Sequence, residues 1–464
     1  MSDARTYAIG DQRAVAFLSQ SVRLDGAFLC DAVAATSMPG LKVLGGVADV
    51  GGALDVLPAA RGARLVLVGD GLAHARAIIP IVGAIGGRAL KADAAGALSP
   101  LLIEDAYGQS RWMLDGALTQ PVCAGRVVMI TGAGGSIGAE LCAQVAALGP
   151  ARLVLMDNSE FNLFEIDRRM AALAPAIPRT HALCDIRDRA ATQRWVERTR
   201  PDIIFHTAAY KHVPLLEDHP SEAALTNVGG AKSVFDAASR TGAHIVFVST
   251  DKAVNPSSVM GATKRLGELY AQALDRAAGA AGPRRIVVRL GNVLGSAGSV
   301  TPIFERQIAE GGPVTVTHPD IERYFITVGQ AAAFILHAAA VALDAPEERG
   351  VAYLLDMGAP VRVADLAADM IHLAGKRPHS DIPMTFIGLR PGEKLNERLL
   401  SDDERIIAMH THGVEAALSP GVALDSIEDA IAHILSRARL GADDAVKLAL
   451  LRAAQPTPDA IAAG

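Results

Sequence analysis

Thr131-Gly132-Ala133-Gly134-Gly135-Ser136-Ile137-Gly138 directly follows the apolar run Val127 to Ile130 and precedes the helical pattern Ala139 to Leu148. A strand, a glycine-rich turn and a helix in that order make the dinucleotide fingerprint, and the context is what makes it specific. Gly132 allows the sharp turn, Gly135 lets the backbone come close to a pyrophosphate, and Gly138 permits tight packing of helix on sheet. Ser136 and Ile137 open the helix, whose N-terminal N–H groups face the negative charge. The next strand, Leu153 to Met156, runs into Asp157, 25 residues after Gly132. A carboxylate near that offset accepts hydrogen bonds from the ribose of NAD, so NAD is expected over NADP. Arg168 and Arg169 are candidates for a 2′-phosphate, but a solvated helix face suits them better. Asp185-Ile186 follows a third strand and either edges the adenine or, for Asp185, is a simple turn residue. Ala208, Ala209 and Tyr210 follow the fourth strand, where small residues let the backbone lie against the cofactor; His206 reads as a packed strand residue.

Outward from this turn the strand and helix patterns alternate. Strands are expected at Val127 to Ile130, Leu153 to Met156, Ile203 to His206, Ile245 to Ser249 and Ile286 to Leu290. That is an α/β chain with a doubly wound parallel Rossmann sheet. Beyond about residue 291 the chain is richer in Gly and Pro and less regular, as expected of a substrate-binding region, and Ser426 to Ala454 reads as one or two amphipathic helices. Before it, Tyr7 to Ile9, Ala27 to Leu29, Leu41 to Leu44 and Leu65 to Val68 alternate with helical patterns such as Leu72 to Ile85. We expect a smaller Rossmann-like domain over residues 1–97 and an NAD-binding catalytic domain over 98–464. Gly69-Asp70-Gly71 has His74 where a fingerprint needs its third glycine, so it reads as a tight turn without a second cofactor.

Composition narrows the class further. The chain has 464 residues, half of them hydrophobic, and carries 50 acidic against 44 basic side chains, a net charge of −6. The electrostatic footprint of a nucleic-acid binder is missing. Cys30, Cys123, Cys142 and Cys184 stand far apart, without C-x-x-C, and the 13 histidines form no metal-ligand pattern. No metal and no disulfide framework are expected, and a reducing cytoplasm fits. The apolar stretch Ala331 to Leu343 is interrupted by His337 and too short to span a bilayer, so no membrane span is expected.

The chemistry is carried by Ser249-Thr250-Asp251-Lys252, at the carboxyl end of an apolar strand where open α/β sheets bind ligands. Position alone allows a polar turn leaving the sheet equally well. In extended short-chain dehydrogenase/reductases, however, Tyr-x-x-x-Lys deprotonates a sugar hydroxyl, and Met260-x-x-x-Lys264 keeps that spacing with methionine in the tyrosine place.

With these motifs the chain resembles the CapD-like polysaccharide-biosynthesis branch of nucleoside-diphosphate-sugar 4,6-dehydratases. The resemblance covers Leu101 to about Asp403 and includes Thr131 to Gly138, His206 to Pro214, Thr226-Asn227-Val228, Val248 to Arg265, Arg289 to Ser299, Thr315 to Thr327 and Leu389 to Glu397. It implies NAD-dependent dehydration of UDP-N-acetylglucosamine to a 4-keto-6-deoxy sugar. Thr250 and Asp251 would take the 4-hydroxyl proton that Met260 cannot accept, and Lys264 would bind the nicotinamide ribose. Lys252 would abstract the C5 hydrogen, and protonated Asp251 would protonate the departing C6 hydroxyl.

The resemblance further implies substrate contacts from Lys211, His212, Asn292, Ser299, Arg323, Arg390 and Glu393. Lys211 and Arg323 also read as surface charges, and Asn292 as a loop cap. Asn227 is expected to orient active-site backbone, and Glu217 and Asp218 to form a solvated loop. The partners expected are the UDP-sugar and further copies of the chain. The rival readings are a UDP-sugar 4-epimerase, which would keep the tyrosine and lose the Asp-Lys pair, and a catalytically silent dinucleotide-binding regulator.

Overall fold

The computed structural model describes residues 5–30, 43–46, 50, 63–108, 114–410 and 413–455. Its contacts divide the chain into two compact units, Met1–Gly108 with Ser299–Ile321 and Val361–Gly388, and Gln109–Gly298 with Glu322–Pro360 and Leu389–Gly464.

The first unit is built on strands β1 (Thr6–Gly10), β2 (Gly26–Leu29), β3 (Val43–Gly46), β4 (Arg64–Val68), β5 (Arg88–Ala92) and β6 (Leu98–Pro100), ordered β3-β2-β1-β4-β5-β6 across one sheet. The first five are parallel, the arrangement of a small Rossmann-like sheet, and β6 runs antiparallel at the edge. Of the expected run Leu41 to Leu44, residues 41 and 42 lie outside the described residues. Gly71, in the turn Gly69–His74 after β4, has its missing Cβ directed 2.0 Å from the Ile9 carbonyl, so glycine serves close packing there. The helices Ala75–Ile85 and Val363–Leu373 pack together where Gly83 meets His372, and Tyr107 donates to Asp369 at 2.5 Å.

The second unit holds the larger sheet. Strands β7 (Val127–Thr131), β8 (Arg152–Asp157), β9 (Arg179–Leu183), β10 (Ile203–His206), β11 (His244–Thr250) and β12 (Arg285–Leu290) are all parallel. Each expected strand is found, because runs such as Ile-Val-Phe-Val are buried on both faces and need no alternation. The order is β12-β11-β10-β7-β8-β9, with Val351–Leu355 parallel to β12 and an antiparallel pair, Val414–Leu418 and Arg405–Met409, beyond it. The strand order reverses at β7, the switch point where doubly wound sheets bind dinucleotides.

Helices Ser136–Ala147 and Val328–Asp344 cover one face of this sheet; Ala231–Thr241, Val259–Ala278 and Leu424–Arg439 cover the other. The tail forms two helices as expected, Leu424–Arg439 and Asp443–Ala453. Val259–Ala278 matters most for the site. Ser258 caps it by accepting from the Gly261 N–H at 3.1 Å, and 16 of its residues are buried, including Met260 and Lys264 one turn apart.

Candidate active site

The glycine turn has the geometry its sequence implies. Gly132 adopts φ +68° with its missing Cβ only 2.9 Å from the Ala208 backbone, so the turn and the segment after β10 touch through glycine. A Cβ on Gly138 would stand 2.0 Å from the Gly132 carbonyl. Helix Ser136–Ala147 begins at Gly135 without a side-chain cap, which leaves its first N–H groups for an anion. Asp157, buried at the end of β8, accepts from the Gly134 N–H and the Ser159 N–H, both at 3.0 Å, and so holds the turn from outside. These residues fit a dinucleotide. Arg168 and Arg169 pair with Glu165 and Glu140 at 2.8 and 3.1 Å on an exposed face.

Asp185, in the turn after β9, accepts from the Arg187 backbone and guanidinium. Burial would raise its carboxyl, but Arg187 holds it below the usual range. Ile186 beside it packs against Gly230. Ala208 and Ala209 are half-buried and Tyr210 is 39% exposed. Asn227 clamps the Tyr210 backbone from both sides, accepting from its N–H at 2.8 Å and donating to its carbonyl at 3.0 Å. It does so from a π-helical turn, Ala224–Gly230, a distortion that recurs at functional sites.

At the end of β11, Thr250, Asp251 and Lys252 form one hydrogen-bonded group. Asp251 Oδ1 accepts from the Thr250 hydroxyl at 2.8 Å and from Lys252 Nζ at 2.9 Å. Lys252 Nζ also donates to Asn292 Oδ1 at 2.9 Å, which brings Asn292 into the site. Asp251 is fully buried. On the facing helix Met260 is buried at 4% exposure, and its carbonyl accepts from Thr263, which in turn accepts from Asn227. Lys264 Nζ lies 4.1 Å from the centre of the Phe247 ring, and burial pulls its pKa down to about 8 against the pull of Glu268. His206 is a packed strand residue, its Nδ1 2.7 Å from the Thr131 hydroxyl; burial, then the Lys264 charge, lowers it to about 3.

A loop after β12 joins these parts. The Ala297 N–H donates to Ser136 Oγ at 3.0 Å, Lys211 Nζ lies 3.4 Å from Ser296 Oγ, and the His212 ring packs on Gly298. Glu393 accepts from the Arg390 N–H at 3.1 Å, and the exposed Arg390 guanidinium stands 3.7 Å from the same carboxylate. Arg323 is buried and donates to the carbonyls of Glu322, Lys394 and Leu395, so in this structure its fork anchors the Arg390 segment. Ser299 falls in the other unit, ahead of helix Val300–Ala309, with its hydroxyl 3.4 Å from Thr301. The expected solvated loop at Glu217 and Asp218 is corrected. Both end a short helix, Val213–Asp218, and Glu217 accepts from the Val259 N–H at 2.6 Å and pairs with Lys447 at 2.8 Å. An orphan donor at the start of the Met260 helix is worth satisfying with a carboxylate.

Residues 128–417 match the family described as "Polysaccharide biosynthesis protein". The chain belongs to that family. It is 40% identical over 309 residues to the capsular polysaccharide biosynthesis protein CapD of Staphylococcus aureus, covering 66% of this chain and 50% of that one. The UDP-N-acetylglucosamine 4,6-dehydratase (inverting) of Campylobacter jejuni is 32% identical over 283 residues, 60% of this chain and 78% of that one. A UDP-glucose 4-epimerase from Rickettsia canadensis is also 32% identical, over 286 residues, with 60% and 79% covered. Among solved structures, Pen from Bacillus thuringiensis has a TM-score of 0.58 at 31% identity, covering 64% of this chain and 88% of Pen. The chain spans about half the length of CapD. Among the described residues no helix is long and apolar enough to cross a membrane.

This member of the polysaccharide biosynthesis family has two features that motif reading did not single out. Glu397 is buried, with Asp251, Lys252, Lys394 and Arg323 as its electrostatic neighbours, and burial pushes its carboxyl up. Beneath the site, Arg289 bridges Glu268 at 2.7 Å and Glu404 at 2.6 Å, Arg265 reaches both at 3.0 Å, and Ser249 donates to Glu268 at 2.6 Å. The four charges cancel and every one is shielded, so the network fixes β11, β12, the Lys264 helix and the Ser401–Glu404 segment in one register.

Proposed function

We propose that this chain is an NAD-dependent UDP-N-acetylglucosamine 4,6-dehydratase that makes a UDP-4-keto-6-deoxy sugar for surface polysaccharide or glycan synthesis. The observation that carries this reading is the hydrogen-bonded group Thr250, Asp251, Lys252 and Asn292 at the end of β11, next to a methionine in the tyrosine place. The activities named for the Campylobacter and Rickettsia relatives support a UDP-sugar as substrate.

NAD, when bound, supplies an acceptor for the C4 hydride and a donor for its return at C6. Gly132, Gly135, Ser136, Ile137 and Gly138 would receive its pyrophosphate, Asp157 its ribose, and Lys264 the nicotinamide ribose. The protons are the chain's own work. Thr250 passes the 4-hydroxyl proton to Asp251 Oδ1, a path already made by its 2.8 Å hydrogen bond. Protonated Asp251 then gives that proton to the C6 hydroxyl, the C6–O bond breaks, and water leaves. The Lys252 amine takes the C5 proton, which the C4 ketone has made acidic, and the resulting ammonium, whose hydrogens exchange with water, delivers a proton to C5 as C6 is reduced. Each group ends the cycle as it began. Lys211, His212, Asn292, Arg390 and Glu393 are assigned to the substrate, with Arg390 the freer diphosphate partner because Arg323 is occupied by carbonyls.

The rival 4-epimerase has a relative of equal identity, but it needs neither a base at C5 nor an acid at C6. Turnover in deuterated water separates them. The dehydratase incorporates deuterium at C5 and loses the C6 oxygen; an epimer without deuterium would overturn the reading. Among the described residues the four cysteines form no disulfide, which supports the cytoplasmic setting we propose, and a homo-oligomer is part of the same reading.

A further inference from the structure

Ser136 opens the helix of the glycine turn, yet its hydroxyl does not cap that helix. It accepts instead from the Ala297 N–H at 3.0 Å, 161 positions further along the chain. Ala297 sits in the loop Gly295-Ser296-Ala297-Gly298, which leaves the strand Asn292–Leu294 and bends at two glycines with φ of +69° and +68°. Its neighbours meet residues already assigned to the substrate. Ser296 is buried, donates to the Val293 carbonyl at 2.7 Å and has Lys211 Nζ 3.4 Å away. A Cβ on Gly298 would stand 2.5 Å from the His212 ring, so the loop lies directly against it. Asn292, at the start of the same strand, accepts from Lys252 Nζ at 2.9 Å. The loop is therefore held on one side by the cofactor helix and on the other by the substrate residues, all within the second unit.

A hydroxyl has one hydrogen to donate and two lone pairs with which to accept. One lone pair of Ser136 is taken by Ala297, so the hydrogen can point the other way, to the anion site at the helix start. A hydroxyl that donates to an anion becomes a stronger acceptor in turn. We propose that Ser136 is a positioning residue that ties the substrate side of the site to the cofactor. Its hydroxyl donates to the cofactor pyrophosphate and accepts from Ala297, and so pins the loop that touches Lys211 and His212. This rests on the dehydratase reading for the identity of the two ligands and goes further, because it makes their binding interdependent. Such coupling is reciprocal: the cofactor tightens the sugar nucleotide by the same factor as the sugar nucleotide tightens the cofactor.

NADH carries the same pyrophosphate as NAD but cannot accept a hydride, so with it the sugar nucleotide binds without turnover. Calorimetry of UDP-N-acetylglucosamine on cofactor-free and on NADH-saturated protein is expected to show about 10-fold tighter binding with NADH, within the usual range of coupling between sites. Ser136→Ala brings that ratio to within about twofold of unity, whereas Ser136→Thr keeps the hydroxyl and most of the ratio. A serine that only bound pyrophosphate, or only packed the loop, would change the affinities and leave their ratio in place. No coupling in the parent, a parent-like ratio in Ser136→Ala, or a ratio near one in Ser136→Thr would overturn the proposal. Hydrogen exchange of the 293–298 amides reads the same link without the sugar: NADH slows it in the parent and in Ser136→Thr but not in Ser136→Ala, and equal slowing in Ser136→Ala would also overturn it. A parent that binds no UDP-N-acetylglucosamine, but whose loop is protected by NADH through Ser136, refutes the dehydratase reading and upholds the link. Exchange that NADH leaves unchanged in the parent refutes the link whatever the activity.

Discussion

Thr250→Val removes one hydroxyl and keeps the side-chain volume. In the structure that hydroxyl donates to Asp251 Oδ1 at 2.8 Å and accepts from the Lys252 N–H at 3.4 Å. Losing a hydrogen bond to a charged group costs about 1.5–3 kcal/mol, which bears on stability and on the setting of Asp251. Losing a proton relay costs a further factor of about 10²–10⁴ in kcat, equivalent to about 3–5 kcal/mol at the barrier. Turnover of the sugar nucleotide is followed by mass spectrometry, with cofactor affinity by calorimetry and the folded fraction by circular dichroism. The expected result is a folded, cofactor-binding enzyme with kcat down by at least about 100-fold. Met260→Ala is the contrast. It empties a buried site and costs about 2–5 kcal/mol of stability, but its folded fraction keeps substantial turnover because a thioether takes no proton. Near-normal kcat in Thr250→Val would refute the relay.

Lys252→Ala is expected to abolish water loss while cofactor affinity stays within about twofold, since the lysine touches Asp251 and Asn292 and no part of the glycine turn; normal turnover would contradict its role. Asp157, buried against the turn, is expected to make NAD bind more tightly than NADP because a carboxylate repels a 2′-phosphate, and calorimetry on cofactor-free protein giving the reverse order would count against it. Burial lowers Lys264 to about 8, so between that pH and the ordinary lysine value the unfolded chain binds more protons than the folded one, and stability from this group rises with pH. The gain in unfolding free energy from Lys264→Met should therefore be larger at about pH 7.5 than at about pH 9.5, by roughly 2 kcal/mol in urea titrations; equal gains would mean that Lys264 is not the perturbed group.

Much of the second unit was legible because its signals are local. The turn after β7 lies within eight residues, and Thr250, Asp251 and Lys252 are neighbours in sequence as well as in space. Parallel strands buried on both faces announce themselves as apolar runs. The supports of the site were not legible. Glu217 reaches the start of the Met260 helix from 42 residues away, and Arg289 meets Glu404 across 115. A glutamate within Leu-Asn-Glu-Arg carries no sign that its carboxyl will be buried 3.7 Å from Lys394, so Glu397 became visible only through burial and its orphaned oxygen. Arg323 shows the same limit from the other side. An arginine in a substrate motif reads as a phosphate ligand, and only the fold reveals that it is buried and donates to three carbonyls of its own unit.

The central claim is that the acid–base group after β11 removes water from a UDP-sugar. The direct test is incubation of the purified chain with NAD and UDP-N-acetylglucosamine, followed by mass spectrometry of the nucleotide sugar. The account predicts a product lighter by one water, with no net change in the redox state of the cofactor. A product of unchanged mass, whether the untouched substrate or its 4-epimer, would contradict it.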